Sequence, residues 1–186
     1  MNMPAILDAL KRDHADMSSL LHIARRQFAV FDDAGSVDFD IVADVMSYCR
    51  DYPDIRHHPI EDRLYIMLRR LNPEMAAAAG PLVAEHGALS DMAASLSVLL
   101  SRILMDEPVS RDDVSTLAAK FLDRQGRHME AEENIFFPAT ERVLSELHWN
   151  DLESVMQNPA DDPVFADAEI ARYDRLREEV RRVACD

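Results

Sequence analysis

RHMEAEENIFFP, residues 127 to 138, carries His128 and, four residues on, Glu132. RHHPIEDRLYIML, residues 56 to 68, repeats that spacing with His57 and Glu61. In an α-helix, residues four apart share a face, about 6 Å apart along the axis. Each stretch therefore aims one imidazole and one carboxylate at a common point. Two such pairs facing each other make a metal site, and the rest of the chain is read outward from them.

The periodicity around these stretches predicts long helices. The first runs from about Pro4 to Phe31, with Leu7, Leu10, Met17, Leu21, Ala24 and Phe28 on its apolar face and His14 in the one missing position. The second runs from about Asp38 to Leu71. Its first half (Val42, Val45, Cys49, Tyr52) and second half (His57, Glu61, Leu64, Leu68, Leu71) differ in phase by one residue. A kink or bulge is expected between Pro53 and Pro59, because Pro59 has no N–H for the carbonyl of Ile55. After a cap at Asn72 and a weak turn, Leu82, His86, Leu89, Ala93, Leu96, Leu100 and Ile103 mark the third helix. Ser110 and Asp113 resemble a capping box for the fourth, whose stripe is Val114, Ala118, Phe121, Gln125, His128, Glu132 and Ile135. Ser145 reads as the cap of a short helix to about Met156. NPADDP follows as a linker, and a charged helix from about Asp167 closes the chain.

Each long helix thus carries a histidine at a core position. At about 1.5 Å per residue, antiparallel packing brings all four within roughly 2 to 5 Å of one level. The fold expected is all-α: an up-down-up-down four-helix bundle over residues 1–145 with a helical C-terminal extension over 146–186.

Composition agrees. The chain of 186 residues is 48% hydrophobic and 30% charged, with only 4 glycines, and is long enough for one domain with a substantial core. A formal charge of −15 disfavours nucleic acid and anionic membranes as partners. No apolar run is read as a membrane span, and MNMPAILDALKRDH lacks signal-peptide features, so a cytoplasmic location is expected. Cys49 and Cys185 lack metal-type spacing and read as reduced thiols, the first buried and the second on a frayed end.

A single histidine on an apolar helix face is ordinarily a satisfied core residue. Four of them with two inward glutamates are different, since two carboxylates buried together lose hydration and repel unless a cation compensates. The metal ligands expected are His14, His57, Glu61, His86, His128 and Glu132. Imidazole and carboxylate without thiolate suit iron, manganese or zinc. A structural zinc site wants four ligands rather than six. The Glu-x-x-His spacing of ferritin-type bundles and the HExxH spacing of metalloproteases are both missing.

With HHPIED and RHMEAEENIFFP on the page, together with His14 in RDHADM and AEH at 84–86, the chain resembles the hemerythrin-like HHE cation-binding family over about residues 5 to 140. MSYCRDYPDIRHHPIEDRLY and LSELHW resemble its bacterial members. The resemblance implies two non-haem iron ions with an oxo or hydroxo bridge. It makes the four histidines terminal ligands, and Glu61 and Glu132 bridging ones. One departure concerns the oxygen carriers of the family, which have a further histidine one turn after the third-helix histidine, where this chain has Ser90. Six donors and a solvent bridge then leave about two of roughly twelve positions open on two octahedral ions. That favours reaction with oxygen, peroxide or nitric oxide over simple oxygen storage, with Glu85, Glu130 or water as candidates to fill the gap.

Other polar residues are given lesser parts. His58, rotated about 100° from His57, is read as a surface residue or a support to the ligands. Glu133 and Asp62 are read as orienting ligand histidines or remaining solvated. His22 is expected to be packed or exposed, Tyr65 to be a core residue one turn beyond Glu61 and within reach of the site, and His148 and Trp149 to pin the C-terminal segment. No acid–base residue stands out beyond the ligands. The leading function is therefore an iron protein that binds or reacts with a small diatomic or peroxide. The alternative is an iron or oxygen sensor acting through a second copy or a protein partner at the C-terminal segment. Repair of damaged iron centres ranks below both, since the extra cysteine-bearing domain of those family members is missing here.

Overall fold

The computed structural model describes residues 5–33, 35–155, 164 and 173–183. Helix α1 is Ala5–Asp32, α2 is Phe39–Tyr52, α3 is His58–Leu71, α4 is Pro73–Ala78 and α5 is Leu82–Leu104. Helix α6 is Arg111–Ala131, α7 is Phe137–Val143, α8 is Glu146–Val155 and α9 is Asp174–Val183. Five-residue π-turns, Pro53–His57 and Glu132–Phe136, join α2 to α3 and α6 to α7 without breaking the rod. The four long rods close a ring in which α1 meets α2, α2 meets α5, α5 meets α6, and α6 returns to α1. This is the expected hemerythrin-like helical bundle.

The caps follow from the sequence. Asp38, Asn72 and Ser110 each accept, through the side-chain oxygen, the backbone N–H three residues on, satisfying donors that an open helix end leaves bare. Ser145 stands at the expected start of α8, its carbonyl accepting from Trp149 N–H, but its side chain makes a different contact. Its own N–H and hydroxyl donate to His148 Nδ1, so the histidine reaches back to the serine. Pro4, Met156, the NPADDP linker, Asp167 and Cys185 lie outside the described residues.

The first π-turn is the expected bulge. Proline has no N–H and its ring crowds the carbonyl four residues back. The chain widens instead, and His58 N–H bonds the carbonyl of Pro53, five residues back. The second π-turn, ahead of Pro138, corrects the phase read from sequence: Phe137 N–H bonds the carbonyl of Glu132 and one residue is added to the turn. Ile135, expected on the apolar stripe, is therefore 44% exposed, while Phe136 is fully buried. Leu71, also expected inside, is exposed as the last residue of α3.

Two apolar clusters result. The larger spans Met17 to Phe28 of α1, the apolar residues of α2, α5 from Leu89 onward and α6 to Met129, and it takes in Tyr173 and Leu176 at α9. The smaller joins Ile6, Leu7 and Leu10 to Leu64, Leu68, Leu82, Phe136, Phe137, and to Trp149 and Leu152 of α8. Arg175 ties α9 to Asp38 at 2.6 Å and Asp40 at 3.4 Å. Cys49 is buried and free, and its thiol is pushed up to about 12 by burial.

One stretch bears on the expectation that no apolar run spans a membrane. Pro73–Leu104 reaches a mean hydropathy of 1.3, enough by length and composition alone to cross a membrane. It is interrupted by Gly80 and Pro81, however, and α5 seats Leu82, His86, Leu89, Ala93, Leu96 and Leu100 in the bundle.

Candidate metal centre

Between the two apolar clusters lies one polar layer: His14, His57, His58, Glu61, His86, His128 and Glu132, all buried. Every long rod contributes to it. All six residues expected from the sequence are brought together there. His58 joins them, buried and stacked on His86 at 3.9 Å, so of the two roles expected for it the surface one is excluded. Its neighbour His57 ends the π-turn, and a turn closed over five residues rotates less per residue than an α-helical one, so consecutive side chains can both face inward.

The donor atoms fall into two groups, each able to hold one cation. His14, His57, Glu61 and Glu132 form one; His58, His86 and His128 form the other. The carboxylates are divided between them. Glu61 Oε1 lies 3.2 Å from His57 Nε2, and Oε2 lies 3.4 Å from His86 Nε2. Glu132 Oε2 lies 3.3 Å from His14 Nε2, and Oε1 lies 3.0 Å from His128 Nε2 and 3.4 Å from His86 Nε2. Adjacent donors around an ion bound at about 2.1 Å stand about 3 Å apart, so these separations fit shared ions. Among the described residues, the buried side-chain atoms without a hydrogen-bond partner are Glu61 Oε1 and Oε2, Glu132 Oε2 and His128 Nε2. All four belong to this layer. Buried polar atoms left bare cost about 1–3 kcal/mol each, and a cation removes that penalty.

A second ring of carboxylates sets the tautomers. His14 Nδ1 donates to Glu133 Oε1 at 3.0 Å, His57 Nδ1 to Asp13 Oδ2 at 3.1 Å, His86 Nδ1 to Asp62 Oδ1 at 3.0 Å and His58 Nδ1 to Asp54 Oδ1 at 2.8 Å. A proton held on Nδ1 leaves the Nε2 lone pair turned inward, as a metal-binding imidazole requires. Glu133 and Asp62 act as expected from the sequence. Asp13 and Asp54 were missed, although Asp54 stands four residues before His58 on one helical face and was legible on that account.

The electrostatics describe a layer poised for cations. Burial opposes charge on His57, but Glu61 and Asp13 outweigh it and push the ring up to about 10. Burial likewise opposes charge on His86, which Glu132 and Glu61 raise to about 9. His58, desolvated and beside His86, is lowered to about 4 and stays neutral. Burial pushes Glu61 up, but His57 and its neighbours bring it down to about 2; for Glu132, burial is overcome by His128, His14 and His86, and it falls well below the usual range. Both carboxylates are therefore ionised inside the protein.

The remaining candidates fall away from the layer. Ser90 Oγ donates to Asp54 Oδ2 at 2.6 Å, so the residue at the departure from the oxygen-carrier pattern supports His58 through Asp54. Glu85 is held by Arg124 at 2.8 and 2.9 Å, Glu130 is exposed, and neither belongs to the two donor groups. His22 is exposed, and the Tyr65 hydroxyl donates to the carbonyl of Gly80.

The family model described as the hemerythrin HHE cation binding domain matches residues 5–140. No curated protein and no solved structure matches the chain.

Proposed function

The chain belongs to the hemerythrin HHE cation-binding family, and on that premise we propose that it holds two non-haem irons and binds or reacts with a small molecule such as oxygen, nitric oxide or peroxide. His14 and His57 would hold one iron, and His58, His86 and His128 the other, with Glu61 and Glu132 able to offer one oxygen to each. The observation that carries this reading is the division of each buried carboxylate, one oxygen toward each donor group. Bound iron would supply electrons and Lewis acidity to the ligand. The protein's part is to fix the imidazoles through Asp13, Asp54, Asp62 and Glu133 and to hold the layer between its apolar clusters.

His58 changes the donor count drawn from the sequence. Five imidazoles, two bridging carboxylates and a solvent bridge fill about eleven of roughly twelve positions on two octahedral ions, leaving about one. The case against reversible binding rested on a gap at Ser90, and Ser90 instead serves His58. Reversible binding of a diatomic therefore fits as well as turnover. No acid–base group beyond the donors and their carboxylate partners enters the layer among the described residues, which favours binding over elaborate organic catalysis.

A sensor reading has one observation in its favour. Helix α9 buries Leu176 against the larger core and meets α2, the helix that leads into the His57 turn. Anaerobic reconstitution with ferrous iron, followed by titration with nitric oxide and oxygen and assay with peroxide, separates the readings. Stoichiometric adducts without consumption support binding, and sustained consumption supports an enzyme. An iron-loaded protein inert to all three sinks both.

A further inference from the structure

The outer face of a bundle helix ordinarily carries its charges. Helix α5 carries few. Only 22% of the most apolar 18-residue window in its stretch is buried, and Val83, Val98, Leu104 and Met105 stand exposed along this one helix and its cap. At about 100° per residue, the line opposite its core face runs Gly87, Asp91, Ser95, Val98, Arg102 and Met105, in steps of three or four. Gly87 is the odd member. A glycine inside a helix weakens it, and a close approach of other atoms is the common reason for one. A Cβ at Gly87 would meet nothing within 4 Å, so no contact with the described residues requires the glycine.

We propose that this face of α5 pairs, antiparallel, with the same face of a second copy of the chain, about a two-fold axis level with the Leu96–Ser97 peptide. In that register Asp91 faces the partner's Arg102, Ser95 faces the partner's Val98, and the partner's Met105 covers the notch at Gly87 and Ala88. Large side chains meet small ones, and each contact occurs twice, as a two-fold interface requires. Within its own chain Arg102 donates to Glu107 and to the carbonyl of Pro108. Those bonds use two of the five N–H donors of a guanidinium, and the side chain, 44% exposed, keeps the others for a second carboxylate. A parallel pair would instead set Asp91 against Asp91 and Met105 against Met105.

Charge selects the occupant. Two copies at −15 repel over most of their surfaces, but this line holds one acid and one base, which cancel on antiparallel pairing. A basic partner would be drawn to the acidic faces instead. The 23 residues of α5 make a strip about 35 Å long and about 10 Å wide. That is a few hundred Å² per copy, against about 800 Å² in a standard interface, so the pair is weak and dissociates at roughly tens of micromolar. None of this depends on the metal reading.

Sedimentation velocity of the full-length protein over roughly 5–500 μM tests the pairing. A monomer–dimer equilibrium that Gly87→Leu and Met105→Lys each weaken by about tenfold or more supports it. Neither substitution threatens the fold, because the first enters open space and the second changes a side chain 70% exposed; unchanged helicity by circular dichroism checks this. Asp91→Arg weakens pairing several-fold, and Asp91→Arg/Arg102→Asp restores it, which a merely sticky surface would not do. A protein monomeric throughout, or a dimer indifferent to these substitutions, overturns the proposal. Flotation of the protein with neutral phosphatidylcholine vesicles in place of pairing also overturns it, and would make the face a membrane contact.

Discussion

The Nε2 atoms of His14 and His57 lie 3.0 Å apart, while the Nδ1 atom of each ring donates to its own carboxylate, Glu133 for His14 and Asp13 for His57. Two inward lone pairs at that distance repel unless a cation stands between or beside them. In the metal-free protein that cation is the proton on His57, whose ring is raised to about 10. In the loaded protein it is the metal. Most of the expected behaviour follows from this exchange.

Metal removal should soften the whole fold. A ligand present at a thousand times its dissociation constant stabilises by about 4 kcal/mol per site. For a chain of this length each kcal/mol moves Tm by roughly 2–4 °C. Chelation is therefore expected to lower Tm by about 10 °C or more, measured by calorimetry with and without chelator. Superimposable melting curves would mean that the layer holds no tightly bound ion.

Loading should expel protons. His57 and His86 are raised from an ordinary 6.5 to about 10 and about 9. Their contribution to the metal-free fold is complete below pH 6.5 and is lost as pH rises through 9 and 10. Metal needs the same rings deprotonated, so binding at pH 7 is expected to release about two protons. Affinity should climb with pH until about 10. Titration calorimetry in two buffers of different ionisation enthalpy measures the release; identical heats in both would contradict it.

His58 is expected to be a ligand rather than a bystander. His58→Ala should weaken one of two metal equivalents while sparing the other. Asp54→Asn, which leaves the ring but loses its charged partner, should weaken the same equivalent by roughly 10–100-fold. Competition with a coloured chelator resolves the two. Full retention of both equivalents in His58→Ala would return the residue to a packing role.

The second π-turn can be tested by truncation. Phe136→Ala should cost about 3–5 kcal/mol, as for a fully buried phenylalanine. Ile135→Ala, on the exposed side, should stay within about 0.5 kcal/mol. Urea unfolding of metal-free protein gives both values, and a reversed order would place the helix in the phase expected from sequence.

Cys49 should be inert. Burial raises its thiol from 9.0 to about 12, so its contribution is complete below pH 9 and is lost as pH rises toward 12. In a Cys185→Ser variant, a thiol reagent at pH 8 should modify Cys49 only after denaturation. Rapid labelling of the folded chain would show that the α2 core opens readily.

Much of the centre was legible because helical geometry is strict. Four-residue spacing put His57 with Glu61 and His128 with Glu132, and counting rise per residue levelled His14 and His86 with them. What escaped depends on local departures from the α-helix. Proline signalled that a bulge was needed before Pro59, but not that the wider turn would let both His57 and His58 face inward. Pro138 carried the same warning and went unread, so Ile135 was assigned the place that Phe136 fills. Ser90 was read as a missing ligand because periodicity follows one helix at a time. Its bond to Asp54 spans two helices, and only the assembled bundle reveals it.

The most direct test is elemental analysis of protein purified without chelators, wild type beside Glu132→Ala, with near-ultraviolet spectra recorded in air. A dinuclear iron centre bridged by Glu132 predicts about two irons per chain with oxo-bridge absorption in the wild type, and loss of both in the variant. One zinc per chain, no metal at all, or an unaltered two irons in Glu132→Ala would contradict it.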